Sequence, residues 1–340
     1  MEDRINFYRS PVDRMLLRSL TRRSDIRGLL QVMPLLVIYA LTTAASLHFF
    51  LRQQWVAMVI AAYGHSLFTS FLGMEATVHE LSHKTPFKSR WLNEFFYGLF
   101  CLLTWNNPVH FRESHRRHHQ YTMHLGMDKE VVMESAPWNR LNYLQWFTFD
   151  WLWFKTIMGA NIRFVFGRDL PDIFAWDPLF DADDPRRARM FLWARFQMLL
   201  HLAAIVYFAV NGLYILIFTV SFSYFFATAA GRSTGISQHV GMQSNIPDWR
   251  MSCHTFVYGP LMSFLYWNMN YHIEHHTYAA VPFFNLGRLH KAIVDDCPAP
   301  VRGYWKGLDR ILGIIRRQHR EPRYWFIPEL PDGAAPFRME

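Results

Sequence analysis

The stretch that decides the fold is NYHIEHH, residues 270–276. Its histidines, His272, His275 and His276, stand at positions i, i+3 and i+4, which lie on one face of a helix. On this spacing, we expect the three side chains to be close enough to bind a single metal centre. Imidazole nitrogen suits iron, zinc, copper and nickel, so the spacing predicts a metal site without selecting the metal.

The same arrangement occurs again earlier in the chain. HRRHH at 115–119 repeats the triplet, and HELSH at 79–83 supplies a matching pair. A zinc site usually takes four ligands, so this number of histidines fits two metal ions better than one zinc. His239 is the candidate for a ninth ligand, although the sequence supports a ligand role and a packing role there equally. The other eight candidates are His79, His83, His115, His118, His119, His272, His275 and His276.

Composition favours a membrane protein. Of the 340 residues, 51% are hydrophobic, 17% are aromatic and 18% are charged, and the formal net charge is +8. The basic residues stand beside apolar runs, as the positive-inside rule expects, and not in a nucleic-acid-binding module. Three scattered cysteines are too few for a disulfide framework or a four-cysteine iron–sulfur site.

Four apolar runs predict four transmembrane helices in two hairpins, over 29–51, 55–74, 190–210 and 213–230. The hairpins turn at Arg52-Gln53-Gln54 and at Asn211-Gly212. An even number of crossings places every histidine cluster and both termini on one side, and the Arg-rich segment 1–28 makes that side cytoplasmic. The predicted fold is therefore an all-α, multi-pass membrane protein with a cytoplasmic histidine-rich cap. We divide the chain into 1–28, a catalytic membrane domain at 29–290, and a cytoplasmic tail at 291–340.

Shorter segments complete this picture. Three apolar stretches are predicted to lie at the bilayer interface. About 14 residues at 91–104 are too few to cross it, 147–154 is aromatic, and Gly259-Pro260 interrupts 254–271. The Pro- and Asp-rich stretch 169–189 is predicted to be a solvated loop. In the tail, Tyr304, Leu308, Ile311, Leu312 and Ile315 form an apolar stripe, which predicts an amphipathic helix on the protein or on anionic headgroups.

Neutral imidazoles around a redox metal near a lipid phase indicate oxygen activation, for which non-haem iron is the obvious candidate. The eight box histidines resemble the HxxxH, HxxHH, HxxHH pattern of integral-membrane fatty acid desaturases and their hydroxylase relatives. HRRHHQYT is similar to the second box of that family, NYHIEHH to the third, and QHVG at 238–241 to the place of its extra histidine ligand. The first box has Glu80 where many members have aspartate.

The resemblance implies two iron ions on the cytoplasmic face, held almost wholly by histidine. It further implies that dioxygen and two electrons remove hydrogen from an unactivated C–H of a fatty acyl chain lying in an apolar tunnel. No fused redox domain is visible, so the electrons are expected from a separate ferredoxin-, rubredoxin- or cytochrome-type protein with its reductase. Five residues could accept the second ring N–H of a ligand: Glu80, Glu113, Asp128, Asn270 and Glu274.

The sequence leaves several other functions open. The same ligand set could support hydroxylation, carotenoid ketolation or oxidative decarboxylation of a fatty acid to a terminal alkene, although the box sequences favour desaturation. HELSH also matches the H-E-x-x-H pattern of zinc metalloproteases, in which Glu80 would be the general base. That alternative leaves most of the clustered histidines unexplained. The third possible class of function is a non-catalytic membrane receptor or metal-binding protein.

Overall fold

The computed structural model describes residues 5–130, 140–170 and 178–336, and these residues are mostly helical. The first part of the chain forms a hairpin of two apolar helices. Helix α1 (Arg14–Leu20) leads to α2 (Asp25–Leu51), which turns into α3 (Trp55–Thr69). The Oγ of Ser24 caps α2 by accepting a hydrogen bond from the backbone N–H of Arg27 at 3.3 Å. Gln53 makes the turn with a φ of 58°.

Next come the helices that carry the first two histidine boxes. They are α4 (Thr77–Ser82), α5 (Arg90–Leu103), α6 (Pro108–Tyr121), α7 (Arg140–Gln145) and α8 (Trp151–Val165). Asn107 begins α6, because its side-chain oxygen accepts from the backbone N–H groups of Val109 and His110, each at 3.1 Å. Pro108 follows at the first helical position, where its missing N–H costs nothing. These two signals fix where the second box starts.

A second hairpin follows, made of α9 (Pro185–Val210) and α10 (Tyr214–Leu216). The chain continues from α10 as a π-helix over Ile217–Phe222 and a 3-10 turn over Ser223–Phe225. The wider π turn frees carbonyl groups from the helix ladder. Neighbouring side chains satisfy them: Nε2 of His65 donates to Thr219 O at 2.9 Å, and Nε1 of Trp105 donates to Ser221 O at 2.6 Å.

The last part of the chain contains the third box. It comprises α11 (Ala229–Ile236), α12 (Trp249–Ser252), β1 (Phe256–Val257), α13 (Pro260–Leu265), α14 (His272–Thr277), α15 (Phe283–Ile293), a 3-10 turn (Val294–Asp296), β2 (Val301–Arg302) and α16 (Tyr304–Arg320). The two short strands pair in parallel, Phe256 with Val301 and Val257 with Arg302. This strand pair is a small addition to the predicted all-α fold.

Two of the four predicted transmembrane helices are long enough in the structure to cross a membrane. Helices α2 and α9 are the two described helices with the length and composition to cross a membrane, whereas Trp55–Thr69 and Tyr214–Phe225 are shorter apolar helices. The predicted second run, 55–74, leaves the helix after Thr69 because the chain there packs closely on α11. The Oγ of Ser70 accepts from the backbone N–H of Gly231 at 2.9 Å. The four-span topology therefore stays a prediction.

Two further predictions need correction. The stretch 254–271 is not one interfacial helix, because β1 and the six-residue helix α13 divide it, and Gly259-Pro260 starts α13. The predicted loop 169–189 ends early, since Pro185 begins α9 with the carboxylate of Asp184 as its cap. Residues 171–177 of that loop lie outside the described part of the chain.

The main hydrophobic core joins the first box to the C-terminal helices. Its fully buried members include Leu35, Leu81, Phe100, Trp267, Leu286 and Ile311. The predicted amphipathic helix is confirmed as α16. Ile311, Ile314 and Ile315 of α16 are buried in this core, so its apolar face lies on the protein, while Trp305 is 77% exposed.

Candidate metal centre

The first box lies on a short, fully buried helix. His79 is in α4, and His83 is the residue that ends it. The segment before α4 is tightly packed, because a Cβ on Gly73 would stand 2.0 Å from the hydroxyl oxygen of Tyr224. Glycine is therefore required there. The segment that leads into the first box is thus packed directly against Tyr224.

The second and third boxes lie near the ends of two other helices. His115, His118 and His119 occupy the last two turns of α6, and His272 begins α14. The loop before α14 is held by a bridge between Thr255 and Tyr271. It is also held by Asn270, whose side-chain nitrogen donates to Phe256 O at 2.8 Å.

The histidines converge into two groups, each of which could hold a metal ion. In each group, one ring nitrogen from every histidine lies within 4.8 Å of those of the others. His272 joins the second group, with its Nε2 3.0 Å from Nε2 of His239 and 3.1 Å from Nε2 of His276. The first group is His79, His83, His115, His119 and His275; the second is His118, His239, His276 and, by these contacts, His272.

Each triplet is divided between the two groups, so the expectation that one triplet binds one metal centre is wrong. Helical positions i and i+4 are about 40° apart around the axis, whereas i+3 lies about 60° to the other side. In α6, His115 and His119 face the first group and His118 the second. In α14 the assignment is reversed, because His272 and His276 face the second group and His275 the first.

The spacing of the nitrogens fits metal ligation. In the first group, Nε2 of His115 lies 3.1 Å from that of His79, 3.0 Å from that of His83 and 3.1 Å from that of His119. Nε2 of His79 is 2.9 Å from that of His275. Two nitrogens bound at right angles to one ion, with bonds of about 2.1 Å, would be roughly 3.0 Å apart. The donor set therefore fits a transition metal that accepts imidazole.

Burial keeps most of these imidazoles neutral, as metal ligation requires. Desolvation lowers the pKa of His83 to about 3 and that of His239 to about 3, with neighbouring histidines adding to the shift. His118 differs. Burial alone would lower its pKa, but the carboxylate of Asp128 outweighs burial and the net shift is upward.

Four rings are oriented by acceptors at Nδ1. His115 donates to Oε1 of Glu130 at 2.7 Å, and His118 donates to Oδ2 of Asp128 at 2.8 Å. His239 donates to Ser252 O at 2.9 Å. A proton on Nδ1 leaves the lone pair on Nε2, so these rings present their acceptor nitrogen to the groups.

His276 is oriented in the same way. Its Nδ1 lies 3.2 Å from Oγ1 of Thr122, and that hydroxyl already donates to His118 O at 2.8 Å. Because the hydroxyl proton is used, Nδ1 of His276 must be the donor in this contact. Thr122 therefore couples the second box to the third.

Of the five residues proposed to accept from a ligand, only Asp128 makes a hydrogen bond to a box histidine in the described part of the chain. Glu113 binds Arg116, Arg117 and Arg186 instead. The amide of Asn270 binds backbone, as described above. Both side chains are buried, but their hydrogen bonds go to arginines and to the backbone and not to a box histidine.

Glu80 and Glu274 both bind α15, so this helix joins the first box to the third. Oε1 of Glu80 accepts from Thr85 Oγ1 at 2.7 Å and from the backbone N–H of Phe283 at 3.0 Å. Glu274 is fully buried and accepts from Nδ1 of His290 at 2.5 Å and from Oγ1 of Thr255 at 2.6 Å. The two carboxylates therefore connect α15 to α4 and α14, the helices that contain the first and third boxes.

Sequence reasoning missed Glu130 and His290. Glu130 stands two residues after Asp128, and the acidic pair that follows the second box was a signal that could have found it. His290 lies on α15 at no recognisable spacing from the boxes, so its contact with Glu274 depends on the fold alone.

Comparison with known proteins decides the family. A family model described as fatty acid desaturase matches residues 53–307, which is three quarters of the chain and contains all nine histidines. The chain belongs to the fatty acid desaturase family. This confirms the resemblance, and with it the relation to lipid metabolism and to a membrane setting.

Three relatives of this chain carry the names of sphingolipid desaturases. A putative sphingolipid delta(4)-desaturase/C4-monooxygenase of Caenorhabditis elegans is 25% identical over 69% of this chain and 59% of its own length. A sphingolipid delta(4)-desaturase DES1-like protein of Arabidopsis thaliana is 27% identical over 73% and 66%. One of Oryza sativa subsp. japonica is 27% identical over 67% and 62%. The chain thus spans about three fifths to two thirds of these relatives.

Proposed function

We propose that this protein is a membrane-bound, dioxygen-dependent oxidoreductase that inserts a double bond into a long hydrocarbon chain of a lipid. The observation that carries the proposal is the convergence of nine histidines into two groups in a chain of the desaturase family. The reaction removes two hydrogen atoms from neighbouring carbons. Dioxygen takes these two hydrogens, with two electrons and two protons, and leaves as two molecules of water.

The nine histidines would hold two iron ions, His79, His83, His115, His119 and His275 at one and His118, His239, His272 and His276 at the other. When bound, the iron pair supplies the dioxygen chemistry that attacks an unactivated C–H. The chain's own residues do the positioning. Glu130, Asp128, Ser252 O and Thr122 hold the rings with Nε2 inward, and burial of the imidazoles keeps competing water and protons away.

We further propose that the boxes face the cytoplasm, with the four apolar helices in the bilayer. A separate ferredoxin-, rubredoxin- or cytochrome-type protein would deliver the electrons. The substrate is either a fatty acyl chain or, as the names of the relatives favour, a sphingolipid. The domain division into 1–28, 29–290 and 291–340 belongs to this proposal.

Hydroxylation is the second candidate. The printed name of the Caenorhabditis elegans relative combines desaturase with C4-monooxygenase, and both reactions begin with removal of one hydrogen atom. The metalloprotease alternative is disfavoured, because the carboxylate of Glu80 is held by Thr85 and by the backbone of Phe283. Membership of the fatty acid desaturase family also argues against a metalloprotease.

The experiment uses the purified full chain, loaded with iron and supplied with a reductase system and a panel of fatty acyl and sphingoid lipids. Mass spectrometry identifies the products. A product that has lost two hydrogen atoms supports desaturation, and one that has gained an oxygen atom supports hydroxylation. Iron-loaded protein that consumes no oxygen with any long-chain lipid contradicts the proposal.

A further inference from the structure

One side of the second group of histidines is covered by the indole of Trp249. This ring lies 6.3 Å from the ring of His276, measured between centroids. Its Nε1 donates to Oγ1 of Thr122 at 3.3 Å, and the same oxygen accepts from Nδ1 of His276 at 3.2 Å. A hydroxyl oxygen has two lone pairs and can accept both bonds. Trp249 is therefore joined to a histidine of the centre by a bridge of two hydrogen bonds.

The N-terminal segment lies on the outer face of this indole. The ring of Phe7 stacks on Trp249, with the centroids 4.5 Å apart and the planes 3° from parallel. The guanidinium of Arg9, an exposed residue, lies 5.9 Å from the centroid of the same ring. Trp249 and Phe7 are both buried. A chain of contacts thus leads from His276 through Thr122 and Trp249 to the surface of the protein.

Hydrogen bonds hold the N-terminal segment in this position. The hydroxyl of Tyr8 donates to Oδ2 of Asp296 at 3.0 Å. The carbonyl of Ser10 accepts from the hydroxyl of Tyr278 at 2.8 Å. Tyr278 directly follows α14, the helix of the third box. The segment is therefore fixed against the elements around the metal centre.

The surface of this part of the chain is basic. Between residues 5 and 24 there are five arginines, all of them exposed, and one acidic residue, Asp13. The carboxylate of Asp13 caps α1 by accepting from the backbone N–H of Leu16 at 2.9 Å. In the part of the chain that the structure describes, none of the five arginines forms an ion pair. They are Arg9, Arg14, Arg18, Arg22 and Arg23.

Helix α15 extends this basic surface. The side chain of Asn285 donates to Leu20 O, at the end of α1, at 2.7 Å, so α1 lies against α15. Arg288 is exposed and stands three residues after Asn285, on the same side of α15. Arg14 and Arg18 stand at i and i+4, on one face of α1. Clustered charges of one sign attract a partner of the opposite sign.

We propose that this basic surface binds an acidic electron-carrier protein, and that Trp249 lies on the path by which its electrons reach the metal centre. The inference rests on the proposed function, which needs electrons from outside the chain. Each bound carrier is oxidised by one electron, which passes to the iron pair, and a second carrier supplies the other electron of the turnover. Trp249 and Phe7 are not oxidised themselves; they are the medium that the electron crosses.

Anionic lipid headgroups are the other acidic partner that exposed arginines attract near a membrane. Arg22 and Arg23 directly precede the apolar helix α2 and suit that role. Arg9 differs from them, because its guanidinium lies over Trp249. This contact with the path to the metal centre favours a redox protein as the partner of the surface around Arg9.

The first experiment measures docking. The iron-loaded full chain, in detergent free of anionic lipid, is mixed with three reduced probes that have acidic surfaces: a ferredoxin, a rubredoxin and a cytochrome-type carrier. Stopped-flow absorbance gives the rate of iron reduction against carrier concentration. Arg14→Gln with Arg18→Gln should raise the half-saturating concentration of the fastest carrier about tenfold and weaken its salt dependence. The rate with dithionite, a small reductant that needs no docking, should not change.

The matched control is Arg316→Gln with Arg320→Gln, which removes two exposed arginines at the same spacing from α16. It should leave the half-saturating concentration unchanged. Equal effects of the two double replacements would overturn the docking surface. No effect of the first would assign its arginines to lipid headgroups and would overturn it as well. Reduction by dithionite but by none of the three carriers would also contradict it.

The second experiment tests the path, with rates compared per bound iron. Trp249→Leu removes the indole and its bond to Thr122, and at saturating carrier it should lose most of the wild-type rate of reduction. Trp249→Phe keeps an aromatic ring and should lose less. Phe7→Leu, which touches no histidine of the two groups, should lower the rate in the same direction. Wild-type rates in folded Trp249→Leu and Phe7→Leu proteins would contradict the path.

Failure of the proposed function would look different. It would appear as absence of oxidised product from every lipid, even with dithionite as the source of electrons.

Discussion

Oε1 of Glu130 lies 2.7 Å from Nδ1 of His115, and the same carboxylate accepts from Oγ of Ser114 at 3.2 Å through its other oxygen. This pair fixes a ring that stands at the centre of the first group, where Nε2 of His115 approaches three other imidazoles. Loss of such a ring-orienting partner typically weakens metal binding 10–100-fold, as an order of magnitude.

We therefore expect Glu130→Ala to lower iron affinity by roughly this factor. Glu130→Gln should have a smaller effect, because its amide oxygen can still accept from Nδ1. Titration with a competing chelator measures the affinity. Glu321→Gln, which removes an exposed ion pair with Arg317, is the control and should retain wild-type affinity. Equal affinity in Glu130→Ala and wild type would show that Glu130 does not position the ligand.

Glu274 and His290 form a buried pair whose loss should destabilise the fold. His290→Ala leaves the carboxylate of Glu274 with Thr255 alone, and removing one partner of a buried hydrogen bond costs about 1–3 kcal/mol. Thermal unfolding in detergent measures this change.

The double replacement Glu274→Gln with His290→Ala should cost less than the sum of the two single replacements, because the two residues interact directly. Additive losses would mean that this pair does not hold α14 against α15.

Gly231 permits the close approach of α11 to the end of α3. A Cβ at this position would stand 2.4 Å from the backbone oxygen of Ser70, which cannot move away as a flexible side chain can. Gly231→Ala should therefore destabilise the protein by about 1–3 kcal/mol. Gly313→Ala in α16 meets nothing within 4 Å and should be neutral or stabilising. Similar unfolding temperatures for the two variants would contradict this packing.

The sequence predicted which histidines come together better than it predicted the residues around them. The i, i+3, i+4 spacing found eight of the nine histidines, and helix geometry alone would have divided each triplet by pairing i with i+4. The spacing of the histidines does not predict which residues meet their rings, because Glu130 lies in the loop after the second box and Ser252 ends α12, and their contacts depend on tertiary packing. His239 sits in a loop after α11, so only the fold brings it to His272.

For the apolar helices, the sequence predicted their location but not where each one ends. The length of the apolar runs predicted both hairpins. It also placed the end of the second run at residue 74, five residues beyond Thr69, where α3 ends. The chain leaves the helix there because Gly73 and Ser70 pack against Tyr224 and α11, a constraint that hydropathy does not register. The stretch 254–271 was misassigned for a similar reason, since the pairing of β1 with β2 overrides its apolar composition.

The two groups should be separable by single replacements. His275→Ala removes a nitrogen from the first group and His118→Ala removes one from the second. We expect each variant to lose most of one iron per chain and all oxidation of substrate. His319→Ala, an exposed histidine on α16, should keep both irons and full turnover. Full turnover in either His118→Ala or His275→Ala would contradict a centre built from both groups.

The most direct test of the central claim is the metal content of the purified, folded full chain. Elemental analysis against protein concentration, after loading with ferrous iron and removal of loosely bound metal, gives the number of ions per chain. We expect two irons per chain. A single zinc with no tightly bound iron would contradict it.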